Sequence, residues 1–274
     1  MTMPFTQINQ LLLKALNLSA MSLSYQEVMT KSKNADWCPE RTLQKLLEIE
    51  VDHRKERKIE TLIKQSGIPP QYTLSTLDQK LLTTKLRKAL PSLLEGSFVD
   101  RGENVLTFGL PGRGKSHYVG AIGRELILRH NKSVLFIPTF KLVEKLLKAK
   151  KELTLEGTLK RMDRFDVVIL DDIGYVQQSR EEMEVLFTFL AERYERKSLM
   201  ITSNLVFSQW DKIFKDPMTT MAAVDRLIHH SIIIDFPGPS IRELFKQEDN
   251  GKTPKSEDDS DDKKDKGKVL SVNI

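Results

Sequence analysis

Apolar residues recur every three or four positions from residue 7 to about residue 66, which is the spacing of amphipathic helices. Pro39 falls near the start of the longer helical stretch, where its missing N–H costs little. The Gly-Ile-Pro-Pro run at 67–70 then interrupts helix formation and predicts a linker over residues 67–77. We therefore expect a small all-α domain over residues 1–66.

From about residue 78 the pattern changes to short, continuous apolar runs separated by helical stretches. Such runs are typical of strands that are buried on both faces of a mostly parallel sheet. The predicted strands cover residues 105–108, 134–137, 167–170, 199–202 and 232–234, and the predicted helices cover 116–129, 139–150 and 180–196. The fold class is therefore α/β, with a five-stranded sheet flanked by helices over residues 78–247.

The composition sets limits on the class of protein. The 274 residues, 39% of them hydrophobic, suffice for one large domain and one smaller one. No apolar run approaches the ~20 residues that cross a bilayer, and no secretory signal is evident. The single cysteine, Cys38, excludes an internal disulfide and a multi-cysteine metal site. We expect a cytoplasmic protein with no membrane attachment. Its charged residues 248–274 are expected to form a disordered tail.

A phosphate-binding motif, GxxxxGK[ST], lies between a predicted strand and a predicted helix. In that setting the glycines let backbone N–H groups turn toward a polyphosphate. Lys115 adds a positive charge, and the Ser116 hydroxyl can bind Mg²⁺. A glycine-rich turn that matches by chance would lack this context. We predict that a nucleoside triphosphate is bound by the motif and the residue after it: Gly109, Leu110, Pro111, Gly112, Arg113, Gly114, Lys115, Ser116 and His117.

Polar side chains follow two of the predicted strands. Asp171 and Asp172 end the strand at 167–170, and we expect that strand to lie directly beside the one that leads into the phosphate loop. Asp171 would then bind Mg²⁺, and Asp172 would orient or deprotonate the attacking water. Capping aspartates in a turn are the alternative. Asn204 follows the next strand and could bind the same water, although a turn-forming asparagine is an equally good interpretation.

Basic residues cluster in two places in the N-terminal third, at 53–58 and again around 80–88. A solvated helix face explains either cluster alone, but two of them in a triphosphate-binding chain favour a nucleic-acid partner. The candidate DNA contacts are Arg54, Lys55, Arg57 and Lys58. For Arg226 and Arg242, nothing in the local sequence indicates contact with phosphate, and surface ion pairs are the default interpretation.

Over residues 7–245 these motifs and their spacing resemble the IstB-like ATPases, the helper proteins of one class of bacterial transposons. These are AAA+ relatives of the DnaC helicase loaders. The resemblance is specific because it extends outside the phosphate loop and the acidic strand. It is carried by Arg-Gly-Glu-Asn-Val at 101–105, Leu-Asp-Asp-Ile-Gly-Tyr at 170–175, Glu-Arg-Tyr-Glu-Arg at 192–196, Ile-Thr-Ser-Asn at 201–204, Phe-Ser-Gln-Trp at 207–210 and Asp-Arg-Leu-Ile-His-His-Ser at 225–231.

The resemblance implies an ATPase that uses ATP and Mg²⁺ and binds double-stranded DNA largely without sequence preference. It implies assembly into a homo-oligomer on the DNA and delivery of that target to a partner transposase. By the same resemblance Asn204 is the first sensor, Arg226 an arginine finger that acts on a neighbouring subunit, and Arg242 a second-sensor candidate.

The chain also departs from the family pattern. Arg113 stands where a small residue is common, and Asp172 stands where glutamate is common. We also expect no full C-terminal helical lid of the kind found in many AAA+ proteins, because little of the sequence beyond residue 247 is predicted to fold.

Two other functions remain open on the sequence alone. A replicative-helicase loader would share the ATPase core and use its N-terminal region to grip a helicase. A nucleotide-gated DNA-binding scaffold that does not hydrolyse ATP would fit the aspartate at position 172 and the missing lid. A transposase reading frame directly upstream would favour the transposition helper over the loader, and phosphate release would exclude the scaffold.

Overall fold

The computed structural model describes residues 4–77, 82–175, 179–205 and 227–237. The helices in these ranges are α1 (Phe5–Ala15), α2 (Ser19–Asn34), α3 (Pro39–Ser66), α4 (Thr84–Glu95), α5 (Ser97–Asp100), α6 (Lys115–His130), α7 (Thr139–Lys151), α8 (Leu155–Met162) and α9 (Arg180–Arg193). The strands are β1 (Asn104–Gly109), β2 (Val134–Pro138), β3 (Val167–Asp171), β4 (Ser198–Ser203) and β5 (Ser231–Phe236), and a 3₁₀ turn spans Ile173–Tyr175.

The N-terminal helices α1, α2 and α3 pack in sequence order around a small core of Met21, Val28 and Leu46. Helix α3 begins at Pro39, whose fixed φ suits the first helical position. It ends at Ser66, followed by Gly67 in the left-handed conformation at φ 65°. The predicted helical region and its stop at the Gly-Ile-Pro-Pro run are confirmed.

A buried carboxylate joins α3 to the start of α2. Glu50 accepts hydrogen bonds from the backbone N–H groups of Ala20 and Met21, at 2.9 and 3.1 Å, and from Nε of Arg54 at 2.9 Å. Glu50, which belongs to α3, therefore caps the N-terminus of α2. The residue at the N-cap position of α2 itself provides no side-chain hydrogen bond. Burial opposes ionisation of Glu50, but these hydrogen bonds outweigh it and lower the pKa of the carboxyl.

The sheet of the described residues contains five parallel strands in the order β2-β3-β4-β1-β5. Helices α4 and α6 cover one face, and α7 and α9 cover the other. Side chains of β3 alternate between the two cores, with Val167 and Ile169 on one face and Val168 and Leu170 on the other. Both faces are buried, which explains the continuous apolar runs. The predicted α/β fold is confirmed.

One expectation about the sheet is wrong. The acidic strand β3 does not lie beside the loop strand β1, because β4 pairs with both of them. The apolar pattern identifies strands but carries no information on their lateral order, which depends on how the crossover helices pack. The consequence is that Asn204, at the end of β4, lies between the acidic strand and the phosphate loop.

The segment after α3 packs on the α/β core. Ile59, Leu62 and Ile63 of α3 contact the core cluster that includes Ile68. Tyr72 lies so close to Gly120 of α6 that a Cβ there would come within 2.5 Å of its ring. The domain boundaries at 66 and 77 stay predictions, but the predicted linker is folded onto the phosphate-loop helix.

Sequence periodicity did not identify helices α4, α5 and α8. Helix α4 is capped by Thr83, whose hydroxyl accepts a hydrogen bond from the backbone N–H of Leu86.

None of the helices in the described ranges combines the length and the apolar character needed to span a bilayer. The predicted tail and the expected absence of a full C-terminal lid concern residues outside the described ranges, so both stay predictions.

We predict that Glu50→Gln destabilises the N-terminal helices at neutral pH, on the order of 1 kcal/mol, by weakening the cap of α2. A lowered pKa stabilises the fold above the unfolded value of 4.5, and this stabilisation is lost as the pH falls through the folded-state pKa. The difference between wild type and Glu50→Gln in thermal unfolding should therefore shrink below pH 4.5. The matched control is Glu48→Gln, an exposed carboxylate on the same helix paired with Lys45. Equal effects of the two substitutions would contradict the cap.

Candidate nucleotide-binding site

The phosphate loop connects β1 to α6 through three glycines with positive φ. Gly109 ends β1 at φ 148°, Gly112 has φ 78° and Gly114, at the N-cap of α6, has φ 82°. A Cβ on Gly109 would lie 2.6 Å from the carbonyl oxygen of Phe236 on the neighbouring strand β5. The loop conformation therefore depends on the absence of side chains at these positions. The loop leads directly into the N-terminus of α6, and a helix N-terminus favours the binding of anions.

Lys115 is buried at the first position of α6 and reaches back across the loop. Among its contacts, Nζ donates to the carbonyl oxygens of Gly109 and Leu110, at 2.6 and 2.9 Å, and to Oδ1 of Asn204 at 2.7 Å. An ammonium group can exchange carbonyl oxygens for phosphate oxygens, which are stronger partners. The structure therefore places this charge at the base of the loop.

Asn204 connects Lys115 to the acidic strand. Its Oδ1 accepts from Lys115, and its Nδ2 donates to Oδ1 of Asp172 at 2.9 Å. The charges on either side determine the orientation of the amide, since only the oxygen can accept from an ammonium and only the nitrogen can donate to a carboxylate. The site thus brings together three of the predicted residues in one hydrogen-bonded chain.

The two aspartates differ in their surroundings. Oδ1 of Asp171 accepts from the hydroxyl of Thr202 at 2.7 Å, and its backbone carbonyl accepts from the hydroxyl of Thr139 at 3.0 Å. Asp172 adopts φ 61°, uncommon for a residue with a side chain. Burial raises the pKa of Asp172 and the adjacent Asp171 raises it further, whereas Lys115 and the bond from Asn204 lower it. A carboxylate with a raised pKa suits proton transfer.

The remaining loop residues have more varied environments. Ser116 is half-buried in the first turn of α6, and Leu110 and Pro111 are exposed. The Nε and Nη2 atoms of Arg113 are buried and find no hydrogen-bond acceptor in the described part of the chain. Burial lowers the pKa of this guanidinium, which nevertheless stays charged. The ring of His117 stacks on that of Tyr72, with centroids 5.1 Å apart.

Of the four predicted DNA contacts on α3, two have a carboxylate partner among the described residues and two do not. Arg54 is bonded to the buried Glu50, and Lys55 lies 3.6 Å from Asp52. Arg57 and Lys58 are exposed and form no ion pair with any residue that the structure describes. Arg226 and Arg242 lie outside the described residues, so their roles stay predictions.

Comparison with known proteins gives the family. Residues 11–249 match the family described as IstB-like ATP binding protein. The chain belongs to this family. An insertion-sequence ATP-binding protein from Sinorhizobium fredii is 37% identical over 233 residues, which are 85% of this chain and 78% of that protein. The ATP-binding protein of insertion sequence IS21 from Pseudomonas aeruginosa is 34% identical over 233 residues, which are 85% of this chain and 88% of that protein.

Among solved structures, the crystal structure of the DnaC helicase loader matches this IstB-like chain with a TM-score of 0.50 at 19% identity. The match covers 62% of this chain and 100% of the loader. Likeness at this level shows that the two proteins share a fold and shows nothing about activity. Membership in an ATP-binding family implies that the chain binds ATP, in agreement with the phosphate loop.

The donors present suit Mg²⁺, which the fold family implies. Within the described ranges no three His, Cys, Asp or Glu side chains converge to hold a metal by themselves. The Ser116 hydroxyl and the Asp171 carboxylate are hard oxygen donors, and Mg²⁺ in such sites is bound by one or two carboxylates together with substrate phosphates. This IstB-like site therefore fits a metal that arrives with the nucleotide.

Sequence reasoning gave no role to Thr202, which contacts both aspartates. The residue lies in the Ile-Thr-Ser-Asn segment that carries the family resemblance, two positions before Asn204. A hydroxyl near the carboxyl end of the strand beside β3 was the available signal. It could have been used only if the lateral order of the strands had been known.

We predict that Gly109→Ala abolishes ATP binding and lowers the thermal unfolding midpoint, because the added Cβ collides with the β5 backbone at 2.6 Å. The matched control is Gly157→Ala in the exposed part of α8, where a Cβ meets nothing within 4 Å. That change should raise stability by roughly 0.5–1 kcal/mol. Normal ATP affinity in Gly109→Ala would show that the loop tolerates another conformation.

Proposed function

We propose that this protein is an ATP-dependent, largely sequence-nonspecific DNA-binding regulator that assembles on target DNA and delivers it to a partner transposase. The observation that carries the proposal is the chain of hydrogen bonds from Lys115 through Asn204 to Asp172. It links the group that binds phosphate to the group placed for water activation. The insertion-sequence origin of the relatives supports the transposition role. A cytoplasmic location belongs to the proposal.

In the proposed reaction the loop amides and Lys115 bind the phosphates. Arg113 adds a second cation, whose Nε and Nη2 have no hydrogen-bond acceptor among the described residues and could donate to a phosphate oxygen. Ser116 and Asp171 would hold Mg²⁺, which neutralises phosphate charge when bound. Asp172 accepts a proton from the attacking water, and Asn204 orients that water once Lys115 turns to the phosphates. Each of these roles is assigned to an atom of this chain.

Hydrolysis is completed between subunits in this proposal. Arg226 would reach the nucleotide of a neighbouring protomer, and Arg242 would contact the nucleotide of its own. Their support is the resemblance to the family, because both residues lie outside the described ranges. An arginine supplied in this way contributes about 10³–10⁵ in rate. The nucleotide would thereby control both assembly and release of the DNA.

Double-stranded DNA would bind through its phosphates. Arg57 and Lys58 are the best-supported contacts, since both are exposed on α3 and unpaired within the described residues, whereas Arg54 and Lys55 have carboxylate partners. Contacts of this kind position the duplex without reading its sequence. A helicase-loader role, by comparison, is supported only by the shared AAA+ fold.

We predict that Lys115→Ala loses ATP binding, while Arg226→Ala keeps ATP binding and lowers ATP turnover by at least ~10³-fold. Binding is measured with a fluorescent ATP analogue and turnover by phosphate release in the presence of duplex DNA. Lys132→Ala is the control for Lys115→Ala, because Lys132 follows α6 but pairs with Asp100 outside the loop. Normal turnover in Arg226→Ala would refute completion by a neighbouring subunit. The absence of turnover in the wild type would support a non-hydrolysing scaffold.

We predict that the double substitution Arg57→Glu/Lys58→Glu weakens binding to duplexes of any sequence. It should also reduce the slope of log K against log salt concentration by up to about 2. Fluorescence anisotropy at several salt concentrations measures both quantities. The control is Lys31→Glu/Lys33→Glu, which makes the same charge change on the exposed surface of α2. If both double variants lose affinity equally, DNA binding reflects net charge and α3 is not the contact surface.

A further inference from the structure

The hydroxyl of Thr202 contacts both Asp171, the last residue of β3, and Asp172, the residue after it. Thr202 is buried in β4, with 1% of its surface exposed. Its Oγ1 donates to Oδ1 of Asp171 at 2.7 Å and accepts from the backbone N–H of Asp172 at 2.7 Å. A hydroxyl has one proton, so it must donate to the carboxylate and accept from the amide. One side chain therefore ties both aspartates to the neighbouring strand.

The bond to the amide acts on the backbone of Asp172. At φ 61° this residue is in the left-handed region, which costs energy for a residue with a Cβ. The chain turns out of β3 at this point, and the turn brings the carboxylate of Asp172 within 2.9 Å of Nδ2 of Asn204. Without the Thr202 acceptor, the partly buried N–H of Asp172 would lose this hydrogen bond and the turn would lose a restraint.

The bond to the carboxylate acts on the orientation of Asp171. Because Oδ1 is occupied by Thr202, its second oxygen, Oδ2, is the one left without a hydrogen bond among the described residues. A carboxylate fixed through one oxygen presents the other in a defined direction. Partners of this kind that orient a metal ligand affect metal affinity about 10–100-fold when they are removed.

We propose that Thr202 is a positioning residue for Mg²⁺–ATP, acting through Asp171 and Asp172 without touching the nucleotide itself. Its hydroxyl orients the carboxylate that would hold the metal and holds the turn that presents the carboxylate that would activate water. The proposal rests on the proposed ATPase function for its catalytic consequence. Its consequence for metal-dependent nucleotide binding does not require hydrolysis.

The test compares Thr202→Val, which keeps the β-branched shape and removes the hydroxyl, with Thr202→Ser, which keeps the hydroxyl. Binding of a fluorescent ATP analogue is measured during titration with Mg²⁺ and again in EDTA. We expect Thr202→Val to need about 10–100-fold more Mg²⁺ for the same affinity. Its affinity in EDTA should be unchanged, and its kcat should fall by a similar factor. Thr202→Ser should restore both properties.

The matched control is Thr107→Val. Thr107 is the buried β1 residue paired with Thr202 in register, and its hydroxyl donates to the carbonyl of Ile201 and to no carboxylate. Thr107→Val should lower the stability of the fold without changing the Mg²⁺ dependence of nucleotide binding. Should Thr202→Val fail to fold, Thr202→Cys takes its place, because a thiol is a weak donor of similar size. Thr202→Cys should need more Mg²⁺ than the wild type for the same nucleotide affinity, by a smaller factor than Thr202→Val.

An unchanged Mg²⁺ dependence in the folded hydroxyl-free variant, or an equal loss in Thr107→Val, would overturn the assignment. A wild-type protein that binds Mg²⁺–ATP without hydrolysing it would instead contradict the proposed ATPase function. In that case the Mg²⁺ titration alone still decides the role of Thr202.

Discussion

The site depends on the parallel order of three neighbouring strands, β3, β4 and β1. Their carboxyl ends meet at one edge of the sheet, as in other open α/β sheets that bind ligands there. Two carboxylates lie at the end of β3, an amide follows β4, and the phosphate loop begins at the end of β1. Because β4 is central, Asn204 can bond to both of its neighbours at once. If β4 did not lie between β3 and β1, Asn204 could not bridge Lys115 and Asp172.

The apolar runs correctly predicted the five strands that the structure describes, because each strand is buried on both faces, which leaves little room for polar residues. They did not predict the order of the strands, since lateral neighbours are chosen by helix packing across many residues. The same limit applies to the site. The glycines and Lys115 were predicted from local spacing, whereas the contacts of Thr202 depend on two strands about 30 residues apart in sequence.

Long-range contacts made by charged residues could not be predicted from the sequence either. In the sequence Glu50 does not differ from the other charged residues of α3, yet in the structure it is buried and caps α2. Arg193 is also buried, and its guanidinium donates to the carbonyl oxygens of Met162, Phe165, Asp166 and Ser198. Burial lowers its pKa to about 10. Neither role follows from spacing, because the partners are backbone atoms of other elements.

Helix α3 is shared between the two parts of the molecule, and its length has a mechanical consequence. Its 28 residues form a rod of ~42 Å at ~1.5 Å per residue. The C-terminal end packs on the core beside the phosphate-loop helix, and the other end belongs to the N-terminal bundle. A tilt of ~5° at the packed end moves the distant end by roughly 3–4 Å at that length. A tilt of α3 beside the phosphate-loop helix would therefore displace the N-terminal bundle by about the length of a hydrogen bond.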